Sequence, residues 1–195
     1  MKANFTLLLL VLLLFAALWI FGGQVKEEDL GPSTLIATLI PTKDNKTNGI
    51  VKIYRVKEGV KIIADVQGLS LGAHGFHIHK YGDLSNDTGA NVGPHYGDMS
   101  SKTESSGQSE GSEGSGSEGS NKRTRPDGRP LGDMKMLVAD DSGKAHMEMV
   151  IHGLTTQQLV GRSILVHAHE DRLEDGKWNS GPKVSMGVIG IAKTE

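Results

Sequence analysis

The sequence predicts an all-β domain, an antiparallel sandwich or barrel of about eight strands interrupted by one long disordered insertion. Three observations carry this reading. Apolar residues recur at every second position in short runs, turn-forming residues separate those runs roughly every 8 to 12 residues, and no stretch of the first half keeps a helical period.

The chain opens on Lys2 and an uncharged run over residues 5–21, in which Thr6 is the sole polar residue, followed by Gly22-Gly23-Gln24 and the charged VKEED. A basic start, an apolar centre and small residues near a cleavage point are the marks of a secretory signal. The run is also just long enough to span a bilayer as an uncleaved anchor. We therefore divide the chain into a leader over residues 1–23, with both readings open, and a domain over residues 33–195. Membrane contact follows only if the leader is retained. Either way the domain is expected outside the cytosol, as a secreted glycoprotein with acceptor sites at Asn45-Lys46-Thr47 and Asn86-Asp87-Thr88.

From residue 33, Leu35, Ala37 and Leu39 alternate with Thr34 and Thr38, as in a strand with one buried face. Residues 41–48 are polar, end in Asn48-Gly49, and read as a turn into strands over 50–56 and 60–66, which Lys57-Glu58-Gly59 separates. Residues 68–75 lead into a strand around Phe76-His77-Ile78-His79. A loop over 82–97 contains Gly93-Pro94-His95-Tyr96-Gly97. Residues 100–129 are first almost wholly Ser, Gly and Glu and then basic, with Lys122, Arg123, Arg125 and Arg129. So few apolar side chains cannot offset the entropy of ordering, which predicts a disordered insertion. Strands resume over 134–139 and 144–152. A short helical turn is expected within 154–160, a strand over 163–166 delivers His167, a polar loop covers 169–183, and a last strand runs over 184–192.

Composition narrows the chemistry. A net charge of −2 gives no hint of nucleic-acid binding, and the absence of cysteine excludes a disulfide, a thiolate metal site and a cysteine nucleophile. Histidine is then the residue to follow. Residues two apart on a strand share a face about 6 to 7 Å apart, so His77 and His79 can grip one metal ion while Phe76 and Ile78 face a core. Imidazole suits copper, zinc, nickel or iron. The plainer reading is a polar strand face turned to water, and for His146 and His152 it is the preferred one. His74 reads as a structural residue and His169 as an accessible one.

GFHIHKYGD, GPHY, LGDM, SILVHAHEDRL and GVIGIA, in that order, resemble the copper/zinc superoxide dismutase family over nearly all of residues 33–192. The resemblance implies a Greek-key β-barrel and an oxidoreductase that converts superoxide to oxygen and hydrogen peroxide. It places copper ligands at His77, His79, His95 and His167, with His95 matching the histidine shared between copper and zinc. Asp133 matches the zinc-ligand aspartate. Asp171 matches an aspartate that orients the ligands of both metals, and Lys183 stands for the arginine that attracts superoxide.

The zinc half of the pattern is incomplete. The family supplies two further histidines between His95 and Asp133, but Pro130 stands at one position and the Ser/Gly tract replaces the other. Copper without zinc is the expectation, as in the copper-only branch, although that branch has an acidic residue where Pro130 stands. The ends of the family's disulfide fall near Gly89 and at Met186, so packing must hold that loop. The rival to an active dismutase is an extracellular protein that keeps the scaffold to bind copper or a partner. Oligomeric state is not legible in the sequence.

Overall fold

Alternation becomes an antiparallel sheet wherever the sequence carries it. The computed structural model describes residues 31–97, 129–174 and 177–193; the leader and the Ser/Gly tract up to residue 128 lie outside the described residues. The chain divides into two compact units, Met1–Gly31 and Pro32–Glu195, and every described strand belongs to the second. The strands are β1 (Thr34–Pro41), β2 (Asn48–Val56), β3 (Gly59–Gln67), β4 (Gly72–His74), β5 (Phe76–His79), β6 (Leu137–Ala139), β7 (Lys144–His152), β8 (Ser163–His167), β9 (Arg172–Glu174), β10 (Lys177–Asn179), β11 (Lys183–Val188) and β12 (Gly190–Ile191). One short helix, α1 (Thr156–Leu159), falls where a helical turn is expected. Thr155 and Gln158 cap it reciprocally.

The main sheet runs β5-β8-β11-β1-β2-β3-β7 with every pair antiparallel, and β12 pairs with β1. A second ladder, β4 with β6, stands between its two ends. β4 runs into β5 one residue later and β6 turns directly into β7, so the sheet curls into a barrel. Leu35, Ile53, Ile62, Phe76, Ile78, Leu137 and Ile164 fill the interior with almost no exposure. Each contributes about 1.5–3 kcal/mol on burial, which fixes the strands that carry the histidines.

Three elements depart from the pattern expected from sequence. The strand predicted over 134–139 forms only at Leu137–Ala139, because Met134 instead donates its N–H to the Phe76 carbonyl (3.2 Å) and buries its side chain. The last strand is broken at Ile189, whose N–H goes to the Arg162 carbonyl at 2.8 Å. The polar loop after His169 contains the β9–β10 hairpin, with Lys177 opposite Glu174 and Asn179 opposite Arg172.

Candidate metal centre

β5 is buried on both faces. Phe76 and Ile78 point into the core, and the face expected to meet water in the plainer reading is instead covered, leaving His77 at 0% and His79 at 3% exposure. Backbone bonds explain the cover. β8 pairs with one edge of β5, and on the other edge Tyr96 N–H donates to the Ile78 carbonyl (2.8 Å), Lys80 N–H to that of Pro94 (3.0 Å) and Ile78 N–H to that of Gly132 (2.8 Å). These contacts set His95 opposite His79 and Asp133 opposite His77. Arg162 lies over the Tyr96 ring at 3.8 Å and pins the loop that carries His95. His167 ends β8, where its N–H donates to the Gly75 carbonyl at 2.9 Å.

The four rings meet. One nitrogen from each of His77, His79, His95 and His167 lies within 4.8 Å of the others, and among the described residues this is the group of side chains able to hold a metal ion. Every ring has its opposite nitrogen tied to an acceptor. His77 Nε2 donates to Asp171 Oδ2 (3.1 Å), His79 Nδ1 to the Gly93 carbonyl (2.8 Å), His95 Nδ1 to Asp133 Oδ1 (2.7 Å) and His167 Nδ1 to the Gly181 carbonyl (3.0 Å). Such bonds fix the tautomer and leave the inner nitrogen with its lone pair. Those inner atoms, His77 Nδ1, His79 Nε2 and His167 Nε2, are buried and without a hydrogen-bond partner. A buried polar atom of this kind costs about 1–3 kcal/mol, and three aimed at one point fit a metal ion that takes imidazole nitrogen, as copper does.

Electrostatics keep the site ready for a cation. Burial disfavours the charged ring and pushes His79 down to about 2 and His167 down to about 3; it lowers His77 as well, against the raising effect of its bond to Asp171. Burial alone would raise the two aspartates. The bond from His77 overcomes it and holds Asp171 at about 2, and the bond from His95 holds Asp133 below its ordinary value.

The approach of Asp171 depends on Gly75. A Cβ there would stand 2.5 Å from Asp171 Oδ1 and 2.8 Å from Ser180 Cβ, so any larger residue displaces the carboxylate from His77. Ser180 Oγ donates to that same Oδ1 at 2.7 Å.

Lys183 is half-buried, with its amine lowered by burial, and pairs with His167 at a β-bulge that leaves Val184 unmatched. Gly89 and Met186 are neighbours, since a Cβ on Gly89 would lie 3.4 Å from Met186 Sδ. Leu84, Val92, Leu165 and Met186 form a small apolar cluster there. His74 is buried, with Nδ1 at 2.8 Å from the His167 carbonyl, and His169 is exposed.

Arg129 is the residue that sequence reasoning missed. Placed at the end of the insertion by composition, it stands beside the two aspartates that hold the histidine cluster, with Nε 3.4 Å from Asp133 Oδ2 and Nη2 3.5 Å from Asp171 Oδ2. The available signal was its spacing, four residues before Asp133 across Pro130, where the Asp133 N–H returns to the Pro130 carbonyl at 3.2 Å.

Comparison with known proteins agrees with this geometry. The family model described as copper/zinc superoxide dismutase matches residues 47–189. An extracellular superoxide dismutase (Cu-Zn) of Brugia pahangi is 29% identical over 173 residues, covering 82% of this chain and 77% of that protein. A superoxide dismutase (Cu-Zn) of Onchocerca volvulus is 30% identical over 164 residues, covering 76% and 92%, and an extracellular one of Haemonchus contortus is 34% identical over 157, covering 75% of each. Fold, histidine cluster and sequence match agree, and the chain belongs to the copper/zinc superoxide dismutase family.

Proposed function

We propose that the domain is an extracellular copper-dependent superoxide dismutase of the copper-only kind. The observation that carries this reading is the convergence of four imidazoles, three of them with buried, unpartnered inner nitrogens. The names of the Brugia pahangi and Haemonchus contortus relatives, with the apolar leader, support an extracellular setting. Residues 1–23 act as the signal, and the catalytic domain over 33–195 is interrupted by the insertion over residues 100–129.

His77 through Nδ1, and His79 and His167 through Nε2, would hold the copper together with His95. When bound, copper supplies a one-electron couple by which superoxide is alternately oxidised to oxygen and reduced to hydrogen peroxide. The protein supplies position, protons and charge. The His95 side chain is 23% exposed, whereas that of His77 is 1% exposed, so His95 is the ring that can exchange a proton with water. Its Nδ1–H is held by Asp133 at 2.7 Å, so a proton taken at Nε2 gives an imidazolium facing an ionised carboxylate, ready to hand that proton to the product peroxide. Lys183, next to His167, would draw the superoxide anion, an effect that weakens as salt rises.

The test is dismutase activity per bound copper in the His95→Ala variant. Activity should fall sharply while His77, His79 and His167 still retain copper, and undiminished activity would remove the proton role. A copper-binding protein without turnover is the second reading, favoured by Lys183 in place of the family's arginine. Stoichiometric copper with no turnover in the unaltered chain would establish it.

A further inference from the structure

Asp133 and Asp171 both lie within about 3.5 Å of the Arg129 guanidinium, with side chains 4% and 7% exposed. Each already accepts from an imidazole, Asp133 from His95 and Asp171 from His77, and those two rings lie close together, with centroids 4.0 Å apart and planes tilted by 31°. A neutral imidazole donating an N–H leaves each carboxylate its full negative charge. Two buried carboxylates without a cation repel each other and are strongly disfavoured. The guanidinium of Arg129 reaches both, at 3.4 Å from Asp133 Oδ2, the oxygen that does not bond His95, and at 3.5 Å from Asp171 Oδ2, the oxygen that also accepts from His77.

The same arrangement does not fit zinc. A zinc ion at Asp133 would have to displace the proton shared between His95 Nδ1 and Asp133, and among the described residues it would find only those two side chains to bind it there. Four protein ligands are the rule for a structural zinc ion, and the described residues add no further histidine beside Asp133.

Resting on the copper reading above, we propose that Arg129 takes the place of a second metal ion: its guanidinium bridges Asp133 and Asp171 and so fixes His95 and His77, leaving a site that needs one metal. Arg129 is a positioning residue, acting through the two carboxylates. Its planar fork can serve two acceptors at once, which the single ammonium of lysine does less well.

The experiment uses the full chain with Arg129→Met, which keeps bulk and removes charge, and Arg129→Lys, which keeps charge. Copper and zinc stoichiometry after exposure to both metals, copper affinity, the electron-paramagnetic signature of bound Cu(II) and melting of the metal-free protein are measured. The unaltered chain should take up copper and exclude zinc. Arg129→Met should weaken copper binding about 10- to 100-fold, the range seen for outer-shell partners of metal ligands, and change the Cu(II) signature, with Arg129→Lys restoring most of both. Stoichiometric zinc in the unaltered chain, or a Met variant with unchanged affinity and signature, overturns the proposal. If the unaltered chain binds no copper, the dismutase reading falls separately. Arg129 is then judged by metal-free melting, where a loss in Met recovered in Lys supports the bridge and equal melting of all three chains overturns it.

Discussion

β5 and β7 each carry a pair of histidines on the face opposite the core, and in sequence the two strands alternate in the same way. On β7 the pattern ends in water. The His146 side chain is 60% exposed and that of His152 70%, and they meet the surface carboxylates Asp65 and Glu58. On β5 the same period delivers His77 and His79 beneath loops that supply Asp171 and the Gly93 carbonyl as acceptors. Period two fixes which residues share a face. What lies over that face decides whether a histidine is a solvated group or a buried one placed where it could hold a metal, and that cover comes from segments far away in the chain.

Exchange of roles gives the largest contrast. His79→Ala or His167→Ala should abolish stoichiometric copper uptake, whereas His146→Ala with His152→Ala should leave it unchanged, as metal analysis after dialysis will report. Copper lost equally from both sets would end the distinction between the two faces.

Acid should separate them next. The folded values of His79 and His167 are lowered from 6.5 to about 2 and about 3, so the rings stay neutral in the fold while the unfolded chain takes up protons below pH 6.5. Stability of the metal-free protein therefore falls as pH drops from about 6.5 toward about 3, by about 1.4 kcal/mol per pH unit for each proton the fold excludes. Asp171, lowered from 3.8 to about 2, adds a loss of the same sign below 3.8. Denaturant midpoints across pH 7 to 4 will show it, and His79→Ala should flatten the slope. An unaltered slope would mean that the buried rings are not its source.

Gly75→Ala probes the cover itself. The added Cβ collides with Asp171 and Ser180, at a cost of about 1–3 kcal/mol in melting, and frees His77 from its carboxylate. The smallest effect belongs to the wet face. Asp65→Ala, which removes the exposed partner 2.7 Å from His146, should change stability by less than about 0.5 kcal/mol.

Much of this was legible from residues alone. Alternation over 50–56, 60–66 and 144–152 marks strands because one face of each meets water, and His77-Ile78-His79 announces a shared face. His95 and His167 carry no local signal that links them to that pair. Their convergence depends on backbone pairing between distant segments, so only the resemblance to a family identified them. Arg129 stayed hidden for the opposite reason, since a basic residue among basic and small neighbours looks like solvated chain. The β9–β10 hairpin went unread because three-residue strands are too short to show a period.

The cluster of Leu84, Val92, Leu165 and Met186, where the family places a disulfide, changes how the loop before His95 responds to its surroundings. Contact between hydrocarbon side chains and a thioether has no thiol–disulfide equilibrium. A chain without cysteine can therefore close this loop as firmly among reductants as in air, and its folding needs no oxidant or disulfide isomerase.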